Sequence, residues 1–95
     1  MDGGRARIER EFEIVNRLGL HARAAAKLVK LANRFACEIR ILKNGMEVNG
    51  KSIMGVLMLA AHRDSSVVVR AEGPDAVEAV REIGDLIARK FDEEE

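Results

Sequence analysis

The chain has 95 residues, 47% of them apolar and 34% charged, with sixteen basic side chains balanced by sixteen acidic ones. That neutrality argues against a basic face gripping nucleic acid, and three aromatics, all phenylalanine, leave little for base stacking. One cysteine rules out an intramolecular disulfide, two distant histidines give no metal-ligand spacing, and no apolar run approaches the roughly 20 residues of a membrane span. With no signal peptide visible, a single domain over 1–95 in the cytoplasm is the expectation.

Residues 1–6 are glycine-rich and charged and are expected to form a mobile tail. From Arg7 to Val15 apolar and polar residues alternate, with Ile8, Phe12 and Ile14 on one side, so a strand with one wet face is predicted there. Arg10 interrupts its apolar side. Arg17, Leu18 and Gly19 form a loop. A helix is predicted over 22–34, where Ala22, Ala25, Ala26, Val29 and Ala32 recur at helical steps and Leu28, Leu31 and Phe35 widen the stripe.

A second strand is predicted over 36–43, with Cys37, Ile39 and Ile41 on one face and Cys37 read as a small core residue. Asn44-Gly45 signals a two-residue hairpin turn into a short third strand from Met46. Asn49-Gly50 turns the chain again, and Ser52 is placed to cap a short helix starting at Ile53. The Val67-Val68-Val69 run centres a fourth strand over 65–71. Gly73-Pro74-Asp75 then opens a last helix, with proline read at its first position and an apolar face running to Phe91. Residues 92–95 are consecutive acids, expected to be a frayed, solvated tail. The order strand, helix, strand, strand, helix, strand, helix predicts an α+β fold, an antiparallel sheet covered on one side by helices.

The chemistry concentrates at Gly19-Leu20-His21-Ala22-Arg23-Ala24. A histidine at the mouth of a helix faces backbone N–H groups without intrahelical partners, here those of Ala22, Arg23 and Ala24, and these with the macrodipole make an anion site. A neutral imidazole is a nucleophile, and Arg23 adds a guanidinium fork suited to phosphate oxygens. This combination reads as a place where a phosphoryl group is carried on His21.

The segment from Gly19 to Arg23, with the alanine-rich helix after it, resembles the active-site signature of the HPr family, the histidine-containing phosphocarriers of the bacterial phosphoenolpyruvate-dependent phosphotransferase system. Asn49-Gly50-Lys51-Ser52-Ile53-Met54-Gly55-Val56-Leu57 resembles that family's regulatory serine motif. The resemblance implies an open-faced β-sandwich, four antiparallel strands with three helices on one face, and a carrier rather than an autonomous enzyme. It implies that His21 accepts the phosphoryl group through Nδ1 from phosphorylated enzyme I and donates it to an enzyme IIA-type acceptor, with Arg23 stabilising the phosphate. It further implies Ser52 as the target of the HPr kinase/phosphorylase, and Ile53, Met54 and Leu57 as a docking patch for partners.

No cofactor, metal, nucleic acid or membrane is implied, and a monomer is expected. Ala24 stands where many relatives have proline, a form similar to carriers of the nitrogen-related branch. His62-Arg63-Asp64 stands where relatives often have a glycine; if that turn needs a positive φ, Asp64 can adopt it, and His62 is read as an exposed loop residue. The rival reading is a regulatory module of the same fold that acts through the phosphorylation state of Ser52, without carrier duty. His21 together with Arg23 discriminates against it.

Overall fold

A computed structural model describes residues 6–93, so residues 1–5, Glu94 and Glu95 lie outside it. Seven elements follow in the predicted order: β1 (Ala6–Glu13), α1 (Ala22–Ala32), β2 (Glu38–Lys43), β3 (Met46–Asn49), α2 (Ile53–Met58), β4 (Ser66–Gly73) and α3 (Ala76–Ala88). The strands make one antiparallel sheet in the order β1-β4-β2-β3, so the last strand is inserted between the first two. The expected α+β fold, an open sheet with three helices, is the one observed.

Alternation fixes which sheet face is buried. Ile39 and Ile41 of β2 and Val67, Val69 and Ala71 of β4 are buried, while their neighbours are exposed or half-buried. Pairing aligns the two sets, Ile39 with Ala71 and Ile41 with Val69, so one slab of aliphatic side chains meets the helices. Ala79, Val80, Ile83 and Ile87 of α3 and Ala24, Ala25, Leu28 and Ala32 of α1 close it from the other side. The outer face is polar. Arg70 sits between Glu9 at 2.8 Å and Glu47 at 3.1 Å, in exposed pairs that contribute little stability.

The turns follow their residues. Asn44 and Gly45 both take positive φ, 49° and 84°, as a type I′ hairpin requires. Asp64 adopts φ 73°, and His62 is exposed. Cys37 is buried; desolvation and the neighbouring Asp75 push its thiol up to about 11, in keeping with an inert core residue.

Several details differ from expectation, among them α1 ending at Ala32 and β2 starting only at Glu38, after Cys37. Ala22 and Ala26 are exposed, and Ala24 lies in the core instead. Pro74 precedes the helix rather than opening it, and Asp75 is the N-cap of α3. The Asp75 carboxylate does not cap its own helix; it accepts the N–H groups of Ala36 at 2.8 Å and Cys37 at 2.9 Å, pinning the loop before β2. Finally, Ala6 is already paired with Gly73, and Asp92 and Glu93 fold back against the body of the protein, so neither belongs to a free tail.

The Asp75 contact carries a pH dependence. The Ala36 N–H is the main influence holding this carboxyl below its ordinary range, with Cys37 adding to it against an opposing effect of burial. A folded-state value below the unfolded one contributes stability above about pH 4 and loses it as pH falls through the folded value. Asp75→Asn is therefore expected to flatten the loss of stability between about pH 4 and 2, measured as urea midpoints across that range. An unchanged slope would remove Asp75 from the acid response.

Candidate functional site

The loop between β1 and α1 is built to hold His21 still. Asn16 is fully buried, and its Nδ2 donates to the Gly19 carbonyl at 2.8 Å, while the Gly19 N–H returns to the Asn16 carbonyl at 3.2 Å. Gly19 takes φ 66°, and a side chain there would lie 2.5 Å from the Ala61 carbonyl oxygen. The Leu20 N–H meets that same oxygen at 2.8 Å, and the Leu20 side chain is buried. His21 is then the N-cap of α1, with extended φ −73° and ψ 179°, and its carbonyl accepts the first intrahelical bond from Ala25 at 2.8 Å.

The imidazole itself caps the helix. Nδ1 accepts the Arg23 N–H at 3.3 Å, a long bond, so the nitrogen expected to react is aimed at the donors of the first turn. Ala22 and Arg23 are both exposed, and the Arg23 side chain borders the shallow cleft that His21 shares with Arg17, Leu18, Lys27 and Glu93. No acidic residue lies in the first turn of α1 to offset its positive end.

Two residues at this site escaped the sequence reading. Glu93 Oε2 contacts His21 Nε2, and its Oε1 accepts from Asn16 Nδ2 at 3.0 Å. Burial alone would raise the Glu93 carboxyl, yet the hydrogen bonds from Asn16 and His21 and the nearby charges of His21 and Lys27 hold it below its usual range. Asn16 is the second. Its two partners are acceptors only, so its NH2 must face them, and Oδ1 is left buried without a partner.

Glu93 arrives by an unusual path. Lys90, Phe91 and Asp92 all take positive φ, 60°, 55° and 60°, in a left-handed turn where each non-glycine residue is disfavoured by about 1–2 kcal/mol. Phe91 is fully buried, and Lys27 Nζ donates to its carbonyl at 2.7 Å, which together hold the turn. The one sequence signal was Phe91 itself, an apolar residue four positions beyond Ile87 that anchors whatever follows it.

Ser52 is the N-cap of α2, its Oγ accepting the Gly55 N–H at 3.2 Å. It lies toward the far end of α1 from His21, because Asn33, the C-cap of α1, donates to the carbonyl of Lys51 at 3.2 Å. From there α2 runs back toward Ala61 beneath the signature loop. Along it Met54 and Met58 are 69% and 65% exposed and Ile53 40%, whereas Leu57 is half-buried against the core. Leu18, 64% exposed, lies in the signature loop. Of the predicted patch, Ile53 and Met54 are open and Leu57 is partly so; Met58 and Leu18 were missed.

Among the described residues no three or more His, Cys, Asp or Glu side chains gather to hold a metal, and no helix is long and apolar enough to cross a membrane.

The family model for the PTS HPr component phosphorylation site matches residues 8–89. The chain is 48% identical over 88 residues to the phosphocarrier protein HPr of Cupriavidus necator, covering 93% of this chain and 99% of that one. It is 44% identical to the phosphocarrier protein HPr of Neisseria meningitidis, with the same coverage. Among solved structures it resembles HPr-C-His from Thermoanaerobacter tengcongensis, with a TM-score of 0.89, 43% identity, and 93% and 99% of the two chains covered.

Proposed function

The chain belongs to the HPr family, the phosphocarrier proteins of the phosphotransferase system, and from that premise we propose that it accepts a phosphoryl group from phosphorylated enzyme I on Nδ1 of His21 and donates it to an enzyme IIA-type acceptor. The observation that carries this reading is the aim of Nδ1 at the open end of α1. Phosphoryl transfer asks a protein mainly for in-line placement and charge stabilisation. The lone pair on Nδ1 forms the new P–N bond, and the bond from phosphorus to the donor atom breaks with its electron pair left on the donor. The N–H groups of Ala22, Arg23 and Ala24 and the Arg23 guanidinium then meet the phosphoryl oxygens. The protein is a carrier with no turnover of its own, acting as a monomer in the cytoplasm.

The test is a mixture of the purified protein with cognate, active enzyme I, magnesium and phosphoenolpyruvate, followed by intact mass. A gain of one acid-labile phosphate is expected. No gain overturns the reading, and the regulatory module acting through Ser52 takes its place.

Met54, Met58, Ile53 and Leu18 give the partners an exposed apolar surface, with the half-buried Leu57 among them. Met54→Asp is expected to lower affinity for enzyme I about tenfold, in the range of an apolar contact at the centre of an interface, with an unchanged thermal midpoint because the side chain is exposed. Titration calorimetry reads the affinity, and wild-type binding would make Met54 an idle surface residue.

Ser52 is the proposed target of the HPr kinase/phosphorylase. The Asn33–Lys51 hydrogen bond sets Ser52 toward the end of α1 opposite His21, and this helix of 11 residues is about 16 Å long, against a Debye length of about 8 Å at physiological salt. A phosphate there therefore acts through the docking surface rather than through its field at the imidazole. Ser52→Asp is expected to reduce the rate of phosphoryl uptake from enzyme I about tenfold, through desolvation and repulsion on docking. Uptake at the wild-type rate would remove the regulatory role.

A further inference from the structure

We propose that Met54 and Met58 are an oxidation-sensitive pair: a hydroperoxide converts their thioethers to sulfoxides and so lowers the affinity of the protein for enzyme I. The inference rests on the reading of the α2 surface as docking ground for partners, and adds a modification that acts on it.

The chain holds one cysteine and four methionines, and their surroundings sort them by reactivity. Oxidants of this kind attack a cysteine as its thiolate. Cys37 is 2% exposed, and burial with the neighbouring Asp75 pushes its thiol up to about 11, so it stays protonated at neutral pH. A thioether has no proton to hold, so access decides its fate. Met54 and Met58 are 69% and 65% exposed, and Met46 43%. The first two stand four residues apart in α2, a spacing that puts both on one face of the helix. Met46 stands elsewhere, paired with Lys43 beside the Asn44-Gly45 turn. An oxidant reaching this protein therefore meets the docking surface before it meets the cysteine.

The step balances without a cofactor. A sulfur lone pair attacks the distal oxygen of the hydroperoxide, the S–O bond forms and the O–O bond breaks. Its proton passes to the leaving oxygen, which departs as an alcohol, or as water from hydrogen peroxide. Sulfur is oxidised by two electrons and the peroxide reduced by two. The product is a polar, chiral side chain where an apolar one stood. Neither methionine belongs to the core, so the fold is untouched. Docking is not, because each sulfoxide oxygen must shed water when a partner's apolar surface covers it. The pliancy that suits methionine to several partners brings this sensitivity with it. His21 keeps its chemistry while the donor loses its hold.

The test treats the purified protein with hydrogen peroxide, removes the oxidant, and only then adds enzyme I, magnesium and phosphoenolpyruvate. Peptide mass mapping is expected to place oxygen on Met54 and Met58 and none on Cys37. Phosphoryl uptake at limiting enzyme I should fall about tenfold, the range of a lost contact at the centre of an interface. Titration calorimetry should show the same fall in affinity, with an unchanged thermal midpoint. Methionine sulfoxide reductases of both stereospecificities should restore the rate. A double variant, Met54→Leu with Met58→Leu, keeps Met1, Met46 and Cys37. Measured against its own untreated sample, it should lose nothing on treatment. Oxygen on Cys37 ahead of the pair, an unchanged rate in wild type with both methionines oxidised, or an equal loss in the double variant each overturns the proposal and leaves the carrier reading standing. If untreated wild type takes up no phosphate, the carrier reading itself falls, and this proposal with it.

Discussion

A His21→Ala variant is expected to remain folded and to gain no phosphate in the presence of enzyme I, magnesium and phosphoenolpyruvate, a loss of the whole wild-type signal in intact mass. Apart from the Asp92 and Glu93 carboxylates, which are engaged by Arg89 and by Asn16, nothing near the mouth of α1 offers a substitute nucleophile. Arg23 and Lys27 are cations, and Ala22 and Ala24 have no functional group. The folded state survives because the histidine contributes to stability mainly as a cap. Its Nδ1 accepts one N–H at 3.3 Å, and removal of a side-chain N-cap destabilises by about 0.5–2 kcal/mol. His21→Asn separates the two roles, since asparagine restores the capping acceptor but cannot carry the phosphoryl group. It should recover the thermal midpoint and none of the phosphate. A stable phosphate on either variant would move the carrier position away from His21.

Gly19→Ala is expected to have the largest effect on stability among single-atom additions in the signature. Two penalties coincide there. A φ of 66° disfavours any side chain, and the added Cβ would sit 2.5 Å from the Ala61 oxygen and 2.8 Å from the Cα of His62. Both are backbone atoms, so relief requires moving the loop that also receives the Leu20 N–H. A loss of about 3 kcal/mol is expected, or about 12–24 °C in the midpoint for a domain of this size. Gly45→Ala is the control. Its φ is also positive, at 84°, but a Cβ there meets nothing within 4 Å, so only about 1 kcal/mol should be lost. Equal losses in the two variants would show that backbone strain, not the crowded loop, limits position 19.

These two cases mark what could be read from residues alone. Asn44-Gly45 and Ser52 declared a turn and a cap because their chemistry acts on neighbours in the chain, and both stand as expected. The alternating strands were legible because Ile39, Ile41, Val67 and Val69 contrast with polar neighbours. The alanine run was not. Adjacent alanines carry no contrast, so periodicity could not decide that Ala24 faces the core while Ala22 and Ala26 face water. The roles of Asp75 and Glu93 were not legible for another reason: their partners are remote. Asp75 stands at the start of α3, yet its carboxylate serves Ala36 and Cys37, about 38 positions earlier. Glu93, within a run of acids, looks like solvated surface until its contact with His21 closes across 72 positions of the chain. At the site itself, His21 and Arg23 were legible as a local pattern, whereas Asn16 and Glu93 needed the fold.

The left-handed turn over 90–92 bears on how this protein should be handled at the bench. It delivers the chain's last described residue to the ring of His21. A group attached at Glu93 would stand beside that ring and compete with incoming partners for the same ground. At the other end, Ala6 begins β1, and the eight residues of that strand carry the chain about 25 Å before the signature loop starts. A probe attached at Ala6 should therefore leave phosphoryl uptake unchanged, while the same probe attached at Glu93 should depress it and so masquerade as a weak enzyme I.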